Sequence, residues 1–500
     1  MTFPYQCLAA RESTETGPGG WTLFGASGST LVAQSSSGGT STWTKPDDVV
    51  AKPEPKEEKE YKEEEQPPQK KVKLSQPPKQ QNANFSNLIV SSDGRYIVGV
   101  TGEDKCIRVF KTDIQNQLQQ LSERHMTRRP CSIALTSDDS IILCADKFGD
   151  VYSLPLLPAP DYQAPEAPEE PVQEAEWVPS ATVLTVHSGR NRKTLEDQLK
   201  QKKKGPAPPK DEMKFEHQLL LGHVSMLTDI VTARTDDNRS YIITADRDEH
   251  VRVSRGIPQA HIIEGFCFGH EAFINKLCVT RSGRLVSGGG DPYLYVWDWR
   301  NFKLLKELPI LDVVADHLKS RPELAATEAT KVAVSGIWSV PHQNEILVAC
   351  EGVPALFSFK VDATTNTSSA ATEYSSAIAL KGNALDVAFL PMSPTSSAAV
   401  VSIDNVHKPA STKEVREEKE VHRLQCFSSQ ENGKWQEDSH TSEALKSFHE
   451  QVFDVEAGAI GGDGSATGNE KGGLGSADDK ALRDMLYSVE NLRKRPGAED

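Results

Sequence analysis

Short apolar runs separated by polar turns recur along the chain. In residues 85–112, "FSNLIVSSDGRYIVGVTGEDKCIRVFKT", two apolar runs flank an Asp-Gly turn and a third run, "CIRVF", follows. Residues 131–156 and 274–299 repeat this plan. Runs this short, rich in β-branched and aromatic residues and bounded by Gly, Asp and Ser, predict strands. The chain therefore contains an internal repeat of small antiparallel sheets.

Two of the repeats align residue by residue. "LLGH" ends at His223 and "CFGH" ends at His270, 47 residues later. Each Gly-His pair is followed by two strands, the second ending in small residues, and then by an Asp and alternating apolar positions. The aligned pairs are His223 with His270, Asp248 with Asp291, Val251 with Leu294, Val253 with Val296, and Ser254 with Trp297. This pattern, most complete in "YVWDW", is the WD-repeat signature of β-propeller blades.

We therefore predict an all-β fold, a WD-repeat β-propeller of about seven blades. A single blade exposes both faces of its sheet, and a closed ring of blades buries them. An N-terminal unit, "WTLFGASGSTLVAQ", supplies one blade. The other predicted blades are four clear ones at 85–118, 131–156, 217–255 and 262–305, and two weaker ones at 330–360 and 376–428.

Stretches of different composition interrupt the repeats. Charged or Pro-rich segments with few apolar residues cannot bury enough surface to fold. We expect the propeller to span 1–456 and a Gly-rich flexible tail to span 457–500, which ends in a short segment of different character. Disordered insertions are expected at about 47–82, 157–212 and 404–420. Long insertions in blade loops cost little stability.

The recurring polar residues are interpreted as structural. In a WD-type blade, the Gly-His histidine and the turn aspartate share a buried hydrogen-bond network that joins strand to turn. We expect this role for His223, His270, Asp248, Asp291 and Trp297. The alternative, a metal-binding or catalytic role for the histidines, has no supporting motif.

Composition narrows the class of protein. The formal net charge of −15 argues against non-specific nucleic-acid binding by the whole chain. No apolar run approaches the roughly 18 residues that span a bilayer, and we expect neither a signal peptide nor membrane association. The 8 cysteines are scattered, without a CxxC pair, which favours reduced thiols in an intracellular protein. "QKKVK", Gln69–Lys73, is either a nuclear import signal or a solvated charge run.

Motifs for catalysis are missing from the sequence. "GGDGSATGNEKGGLGS" lacks the end of a phosphate loop, and "SGGGD" (residues 287–291) lies between two strands rather than before a helix. No G-x-S-x-G or HExxH motif occurs. We predict no catalytic residue, no cofactor and no metal. The residues thus indicate a non-catalytic propeller scaffold that docks partners.

Several less generic strings carry a resemblance to a known family. They are "ADKFGDVYS" (145–153), "LLGHVSMLTDI" (220–230), "ITADRDEHVRVS" (243–254), "GGGDPYLYVWDW" (288–299) and the tail "LYSVENLRKR" (486–495). They resemble the non-catalytic WD-repeat subunit of the eukaryotic tRNA (guanine-N(7)-)-methyltransferase. The resemblance implies a scaffold that binds and stabilises a separate catalytic subunit as a heterodimer. That complex would form N7-methylguanine in the tRNA variable loop, in the nucleus, and this chain would meet tRNA through it.

The resemblance also implies a docking surface. It places the "DRDEH" stretch at the subunit interface and has Arg252 pair with acidic residues of the catalytic partner. Arg247 and Lys147 are the neighbouring candidates. Strand alternation favours this for Arg252, because Val251 and Val253 then pack in the sheet while Arg252 projects away. Alternatively, Arg252 and Arg247 pair internally with Asp246, Asp248 or Glu249.

Two departures from the repeat and two other function classes remain open. Ser254 stands where the repeat usually has Trp, and Phe148 stands where it has Asp. The chain could instead be a WD-repeat adaptor of another complex, such as a ubiquitin-ligase substrate receptor or a chromatin scaffold. It could also be an enzyme, which would show turnover when purified alone.

Overall fold

The structure, a computed structural model, describes most of the chain outside the low-complexity segments. A separate unit, Pro158–His217, is described only at 158–159, 162, 193 and 213–217. The other unit, Met1–Leu157 with Gln218–Asp500, contains all the blades. The described residues of this unit are 3–12, 20–45, 83–113, 116–157, 218–324, 329–361, 374–393, 395–417, 422–430, 434–450 and 476–494.

Twenty-eight strands form seven four-stranded antiparallel sheets in the described residues, each built from four consecutive strands. This confirms the predicted seven-bladed β-propeller. Blade 1 consists of β1 Cys7–Glu12, β2 Trp21–Ser27, β3 Thr30–Ser35 and β4 Thr40–Thr44, and blade 2 of β5 Phe85–Val90, β6 Tyr96–Thr101, β7 Cys106–Thr112 and β8 Leu118–His125. Blade 3 consists of β9 Pro130–Leu135, β10 Ile141–Asp146, β11 Asp150–Pro155 and β12 Gln218–Gly222. Blade 4 consists of β13 Leu227–Arg234, β14 Ser240–Asp246, β15 Val251–Arg255 and β16 Ile263–Cys267. Blade 5 consists of β17 Ile274–Val279, β18 Leu285–Gly289, β19 Tyr293–Asp298 and β20 Lys303–Pro309. Blade 6 consists of β21 Val334–Ser339, β22 Glu345–Cys350, β23 Ala355–Lys360 and β24 Tyr374–Ala379. Blade 7 consists of β25 Ala384–Ser393, β26 Ser396–Ile403, β27 Leu424–Ser429 and β28 Trp435–Glu437.

Short helices accompany the blades. Helix α1 follows blade 5 and buries Ile310, Val314 and Leu318, spaced four residues apart on one face, against the core between blades 5 and 6. The helices are α1 Ile310–Ser320, α2 Ser439–Ala444, α3 Lys446–Glu450, α4 Ser476–Leu486 and a 3-10 turn, Glu490–Leu492.

The blades are offset by one strand from the sequence repeats. Strand β12, which opens the predicted blade 217–255, pairs with β11 and is the outer strand of blade 3. Strand β16 likewise belongs to blade 4, and β24 to blade 6. A sequence repeat shows its period but not which turn separates two sheets, so the predicted boundaries at these points were wrong. The long insertion lies within blade 3, between β11 and β12.

Apolar side chains fill the space between neighbouring blades. Between blades 4 and 5, for example, Ile243 and Val253 pack with Leu277 and Trp297, and all four are at least 95% buried. Each such aliphatic side chain contributes about 1.5–3 kcal/mol of burial free energy. Each blade therefore becomes stable only when its neighbours cover it.

Polar side chains on the innermost strands join blades to each other. Asp229 of blade 4 accepts hydrogen bonds from the Ser132 hydroxyl of blade 3, at 2.7 Å, and from the Leu277 N–H of blade 5, at 2.8 Å. Asp386 of blade 7 accepts one from the Leu8 N–H of blade 1, at 2.7 Å. These carboxylates satisfy backbone groups that the sheets leave unpaired.

Helices α2 and α3 reinforce the junction of blades 7 and 1. Phe448 is fully buried, with its ring centroid 4.7 Å from that of Tyr5. Its carbonyl accepts hydrogen bonds at 2.9 Å from the Tyr5 hydroxyl and from Arg423. The ring is thus closed by side-chain packing and by these two helices.

Two segments expected to be disordered contain ordered parts. Residues 404–417 form a loop in which Asp404 and His407 are fully buried and bonded, 2.7 Å apart. Residues 476–494 of the expected flexible tail form α4 and the 3-10 turn and contact four blades. Buried polar partners elsewhere in the fold order both segments. The expected insertion at 47–82, nearly all of 157–212, and residues 457–475 lie outside the described residues.

All eight cysteines are free, and seven of them are buried. Burial raises the pKa of their thiols, for example to about 12 for Cys267. Among the described residues, no helix is long and apolar enough to cross a membrane.

Candidate docking face

One end of the propeller gathers the residues singled out by the sequence. We call it the turn face; it carries the turns between the second and third strands of every blade, and the connections between blades. Lys147 and Arg247 occupy equivalent places in blades 3 and 4. The Lys147 N–H donates to the Arg129 carbonyl at 3.1 Å, and the Arg247 N–H donates to the Met226 carbonyl at 3.0 Å. The structure therefore brings these two predicted docking residues together on one face.

The charged "DRDEH" stretch is a tight turn held by Asp246. This carboxylate is 97% buried and accepts hydrogen bonds from the N–H groups of Asp248, at 2.9 Å, and His250, at 3.1 Å. Burial raises the pKa of Asp246. Glu249 adopts a left-handed backbone, with φ of 74°. The density of charge thus arises from a solvated turn around one buried carboxylate.

Arg252 is buried and joins blade 4 to the end of β12 in blade 3, contrary to the expectation that it projects outward. Only 7% of its surface is exposed. Its Nη1 donates to the Gly222 carbonyl at 2.9 Å, and its Nε donates to the Ser254 hydroxyl at 3.1 Å. Ser254 aligns with Trp297 of blade 5, so blade 4 has a serine hydroxyl, bonded by Arg252, where blade 5 has an indole. Within the described residues, Arg252 therefore bonds none of Asp246, Asp248 and Glu249, and it does not lie on an exposed docking surface.

We expect Arg252→Leu to lower the free energy of unfolding by about 1–2 kcal/mol, because it leaves the Gly222 carbonyl without its donor. Chemical denaturation would measure this. Arg234→Leu, at an exposed position at the end of β13 in the same blade, is the matched control and should shift the unfolding midpoint less. An unchanged midpoint for Arg252→Leu, with weaker binding to a catalytic partner, would instead support direct docking by Arg252.

Blade 5 contains the complete structural network predicted for His270, Asp291 and Trp297. The Trp297 Nε1–H donates to the Ser287 hydroxyl at 2.8 Å, and Ser287 bonds His270 Nε2 at 2.6 Å. His270 Nδ1 lies 2.6 Å from Asp291 Oδ2. Although this Ser-His-Asp order is that of a hydrolase triad, Ser287 is fully buried and already accepts from an indole. The network therefore ties strands to turn and has no access to a substrate.

Blade 4 contains only part of that network. His223 bonds the Thr244 hydroxyl at 3.0 Å, and burial together with the charges of Arg252 and His250 lowers the pKa of His223 to about 4. Asp248 does not bond His223. It bonds Ser225 and lies 3.1 Å from Lys494 Nζ, contacts that lower the pKa of Asp248 against the opposing effect of its burial. Asp248 therefore does not join His223 in the expected network, and it anchors the C-terminal segment instead.

The C-terminal segment, residues 476–494, crosses the turn face from blade 7 to blade 4; we call it the strap. Tyr487 is buried, and its hydroxyl donates to Asp404 of blade 7. Glu351 of blade 6 accepts from the N–H groups of Val489, at 2.9 Å, and Glu490, at 2.7 Å. These contacts hold the first half of the strap.

The second half of the strap ends on the "DRDEH" turn. Arg493 donates to the Gly290 carbonyl of blade 5 at 3.1 Å. Arg247 Nε donates to the Leu492 carbonyl at 2.7 Å, and Lys494 Nζ lies 3.3 Å from Glu249 Oε1. Composition predicts a flexible tail here, whereas the segment makes fixed contacts with four blades. Its family-like string was the only signal that it had a fixed place.

An apolar patch on the turn face was missed by the sequence reasoning. It consists of Phe148, Val224, Phe266 and Phe268. Phe148, Val224 and Phe268 are 63%, 108% and 67% exposed, respectively. The ring centroids of Phe266 and Phe268 are stacked 5.5 Å apart, next to His250. Exposed apolar residues gathered on one face typically mark an interaction surface.

One cluster in blade 2 has the donor atoms of a metal site. Atoms of Asp104, Cys106, Glu123 and His125 lie within 4.8 Å of one another. However, the Arg108 guanidinium donates to Asp104 and Glu123, each at 2.7 Å. The carboxylates are thus paired with a buried cation, and the cluster fits an ion-pair network better than a metal centre.

Comparison with known proteins supports the family resemblance. The family model described as "tRNA methyltransferase TRM82 WD40 domain" matches residues 23–427. A relative from Phaeosphaeria nodorum, named tRNA (guanine-N(7)-)-methyltransferase non-catalytic subunit TRM82, is 57% identical over 509 residues and covers 100% of both chains. Relatives with the same name from Coccidioides immitis and Meyerozyma guilliermondii are 42% and 28% identical, covering 86% and 62% of this chain and 82% and 62% of their own lengths. This chain therefore belongs to the TRM82 family of non-catalytic WD-repeat subunits of tRNA (guanine-N(7)-)-methyltransferase.

Proposed function

We propose that this chain binds and stabilises the catalytic methyltransferase subunit as a heterodimer. The complex forms N7-methylguanine in the tRNA variable loop, and this chain meets tRNA through the complex. The full-length match to relatives named as non-catalytic subunits carries the proposal. The same match disfavours an adaptor of an unrelated complex and an enzyme acting alone.

The turn face of blades 3 and 4 is the proposed docking surface. There the apolar patch lies beside Lys147 and Arg247. The His223 N–H donates to the Gly149 carbonyl at 2.7 Å and so joins the Phe148 turn to the Val224 connection. Apolar anchors rimmed by charged groups are typical of specific protein interfaces. Arg252 supports this surface from beneath, through its hydrogen bond from blade 4 to the Gly222 carbonyl of blade 3.

Reconstitution tests the proposed function. Guanine-N7 methylation of tRNA is measured with the purified catalytic subunit, with and without the full chain. Activity and a stable 1:1 complex on gel filtration that both require this chain are the expected result. Equal activity without it, and no complex, would contradict the proposal.

We expect the double substitution Phe148→Ser, Phe268→Ser to weaken binding of the catalytic subunit at least about tenfold, which corresponds to roughly 1.4 kcal/mol. Both side chains are exposed, so the fold should be retained. Met392→Ser is the matched control. Met392 is 38% exposed and lies in blade 7, at the end of the propeller opposite to the turn face. Isothermal titration with the catalytic subunit measures the affinities. Equal losses of affinity in the control and the double variant, or no loss in either, would contradict the proposal that this surface binds the catalytic subunit.

We further propose that the complex acts in the nucleus. The basic segment Gln69–Lys73, between prolines, supports this as a candidate import signal. It lies outside the described residues.

A further inference from the structure

A cavity of about 1050 Å³ follows the propeller axis behind the turn face. Residues of all seven blades line it, and the strap covers part of it from Lys480 to Leu492. An axial cavity of this size can hold a small molecule. Its chemistry is set by the side chains around its rim.

One backbone position recurs around that rim, the residue directly after the second strand of each blade. In blades 2 to 7 its N–H donates to a carbonyl of the preceding inter-blade connection, at 2.8–3.1 Å, so the position is equivalent in each blade. In order from blade 1, this position holds Gly28, Gly102, Lys147, Arg247, Gly290, Glu351 and Asp404. The rim is therefore basic on blades 3 and 4 and acidic on blades 6 and 7.

The strap occupies the acidic half. Glu351 and Asp404 accept the strap's N–H and hydroxyl donors, as described above. Gly290 lies between the two halves and lets Arg493 approach, since a Cβ at position 290 would lie 3.1 Å from Arg493 Nη1. This half of the rim is thus satisfied within the chain.

The basic half has no such occupant. Arg129 and Lys147 both line the cavity and are exposed. Within the described part of the chain, neither side chain makes a hydrogen bond or ion pair. Gly102 leaves room for the Arg129 guanidinium, because a Cβ there would collide with it.

Among the described residues, the Glu103 carboxylate forms no ion pair with Arg129 or Lys147. Glu103 also lines the cavity, but its oxygens accept from the N–H and the side-chain amide of Asn84, at 2.7 and 3.3 Å. Arg247 donates only its Nε to the strap. In a chain with net charge −15, this half-rim is a local excess of positive charge that faces a cavity.

We propose that the basic half-rim of Arg129, Lys147 and Arg247 binds a compact phosphate-bearing anion inside the axial cavity. A guanidinium fork and an ammonium group are the pair of donors that phosphate oxygens accept best. The strap closes the other half of the opening, and the acidic remainder of the chain repels an extended polyanion. The site therefore selects a small molecule rather than a nucleic-acid strand.

Isothermal titration of the full chain with tripolyphosphate and with ATP tests this site. The wild-type chain should bind saturably and more weakly as salt rises. Arg129→Gln and Lys147→Gln should each weaken binding about tenfold, since each removes a charge-assisted contact. Lys303→Gln, an exposed lysine on blade 5 outside the cavity, is the matched control and should bind as the wild type does.

The two probes distinguish the source of the phosphate. Equal affinity would indicate recognition of the phosphate chain alone, and tighter binding of ATP would indicate a nucleotide; both support the site. Because neither side chain bonds another group, the variants should melt at the wild-type temperature. No saturable binding of either probe, or identical losses in the Lys303→Gln control, would overturn the proposal.

Discussion

Replacing His270 with alanine is expected to lower the free energy of unfolding by about 3–5 kcal/mol, because it leaves the buried negative charge of Asp291 without its side-chain partner. Asp291 is 1% exposed, and its Oδ2 would lose its donor. The Ser287 hydroxyl would lose its acceptor while still receiving the Trp297 indole N–H. A cavity would also open beside the ring of Tyr295, whose centroid lies 4.4 Å from that of His270. Chemical denaturation followed by tryptophan fluorescence would measure the loss.

His223→Ala is the matched control in the neighbouring blade. His223 occupies the same repeat position, but its side chain bonds only Thr244 among the hydrogen-bond partners described above. Its removal should therefore cost about 1–2 kcal/mol, the range for one neutral buried hydrogen bond. Similar losses in the two variants would show that the Asp291 pair adds no stability to blade 5.

The second large effect concerns pH and Asp386. Burial raises the pKa of Asp386, whereas the N–H donors of Leu8 and Val387 and the charge of Lys276 lower it. Burial has the larger effect, so the pKa rises from 3.8 to about 6. Between pH 4 and 6 the folded state then holds a proton that the unfolded state has released. Stability must fall as pH rises through this window, because folding is favoured where the folded state binds more protons. The shift corresponds to as much as about 3 kcal/mol by pH 7.

Asp386→Asn isolates this contribution because it cannot titrate. Any hydrogen bond lost on substitution lowers stability equally at every pH. The difference in unfolding free energy, variant minus wild type, should therefore rise by as much as about 3 kcal/mol between pH 4 and pH 7. Urea denaturation at several pH values measures it. A difference that stays constant over this range would show that Asp386 ionises normally in the folded chain.

The structure relates stability to docking through blade 4. This blade lacks the Trp anchor, has Thr244 in place of the serine, and uses Arg252 to hold Ser254. Its turn is fastened from outside by the strap, through Lys494 and the Leu492 carbonyl. The proposed docking turn is thus positioned by contacts both within the blade and from the C-terminal segment.

Much of the fold was predictable from the sequence because its determinants are local. Strands follow from short apolar runs, and their repetition implies a ring of blades. The network of His270, Asp291 and Trp297 was predictable for the same reason, since all three lie within 28 residues of one another in a single blade. The family resemblance likewise rests on contiguous strings.

Contacts between distant segments were not predictable. Arg247 meets Leu492 across 245 residues, and Tyr487 meets Asp404 across 83, through a tail whose composition looks flexible. The repeat also could not show which turn separates two sheets, so three outer strands were assigned to the following blade.

The direction of a side chain was decided by tertiary packing as well. Strand alternation correctly placed Arg252 on the face opposite Val251 and Val253, but that face is also covered in a propeller. The guanidinium therefore turns to Gly222 and Ser254 rather than to solvent. The sequence by itself determined the blades, their internal network and the family. Only the tertiary structure decided which charged residues remain on the surface, because burial depends on which blade and which segment come to lie against each strand.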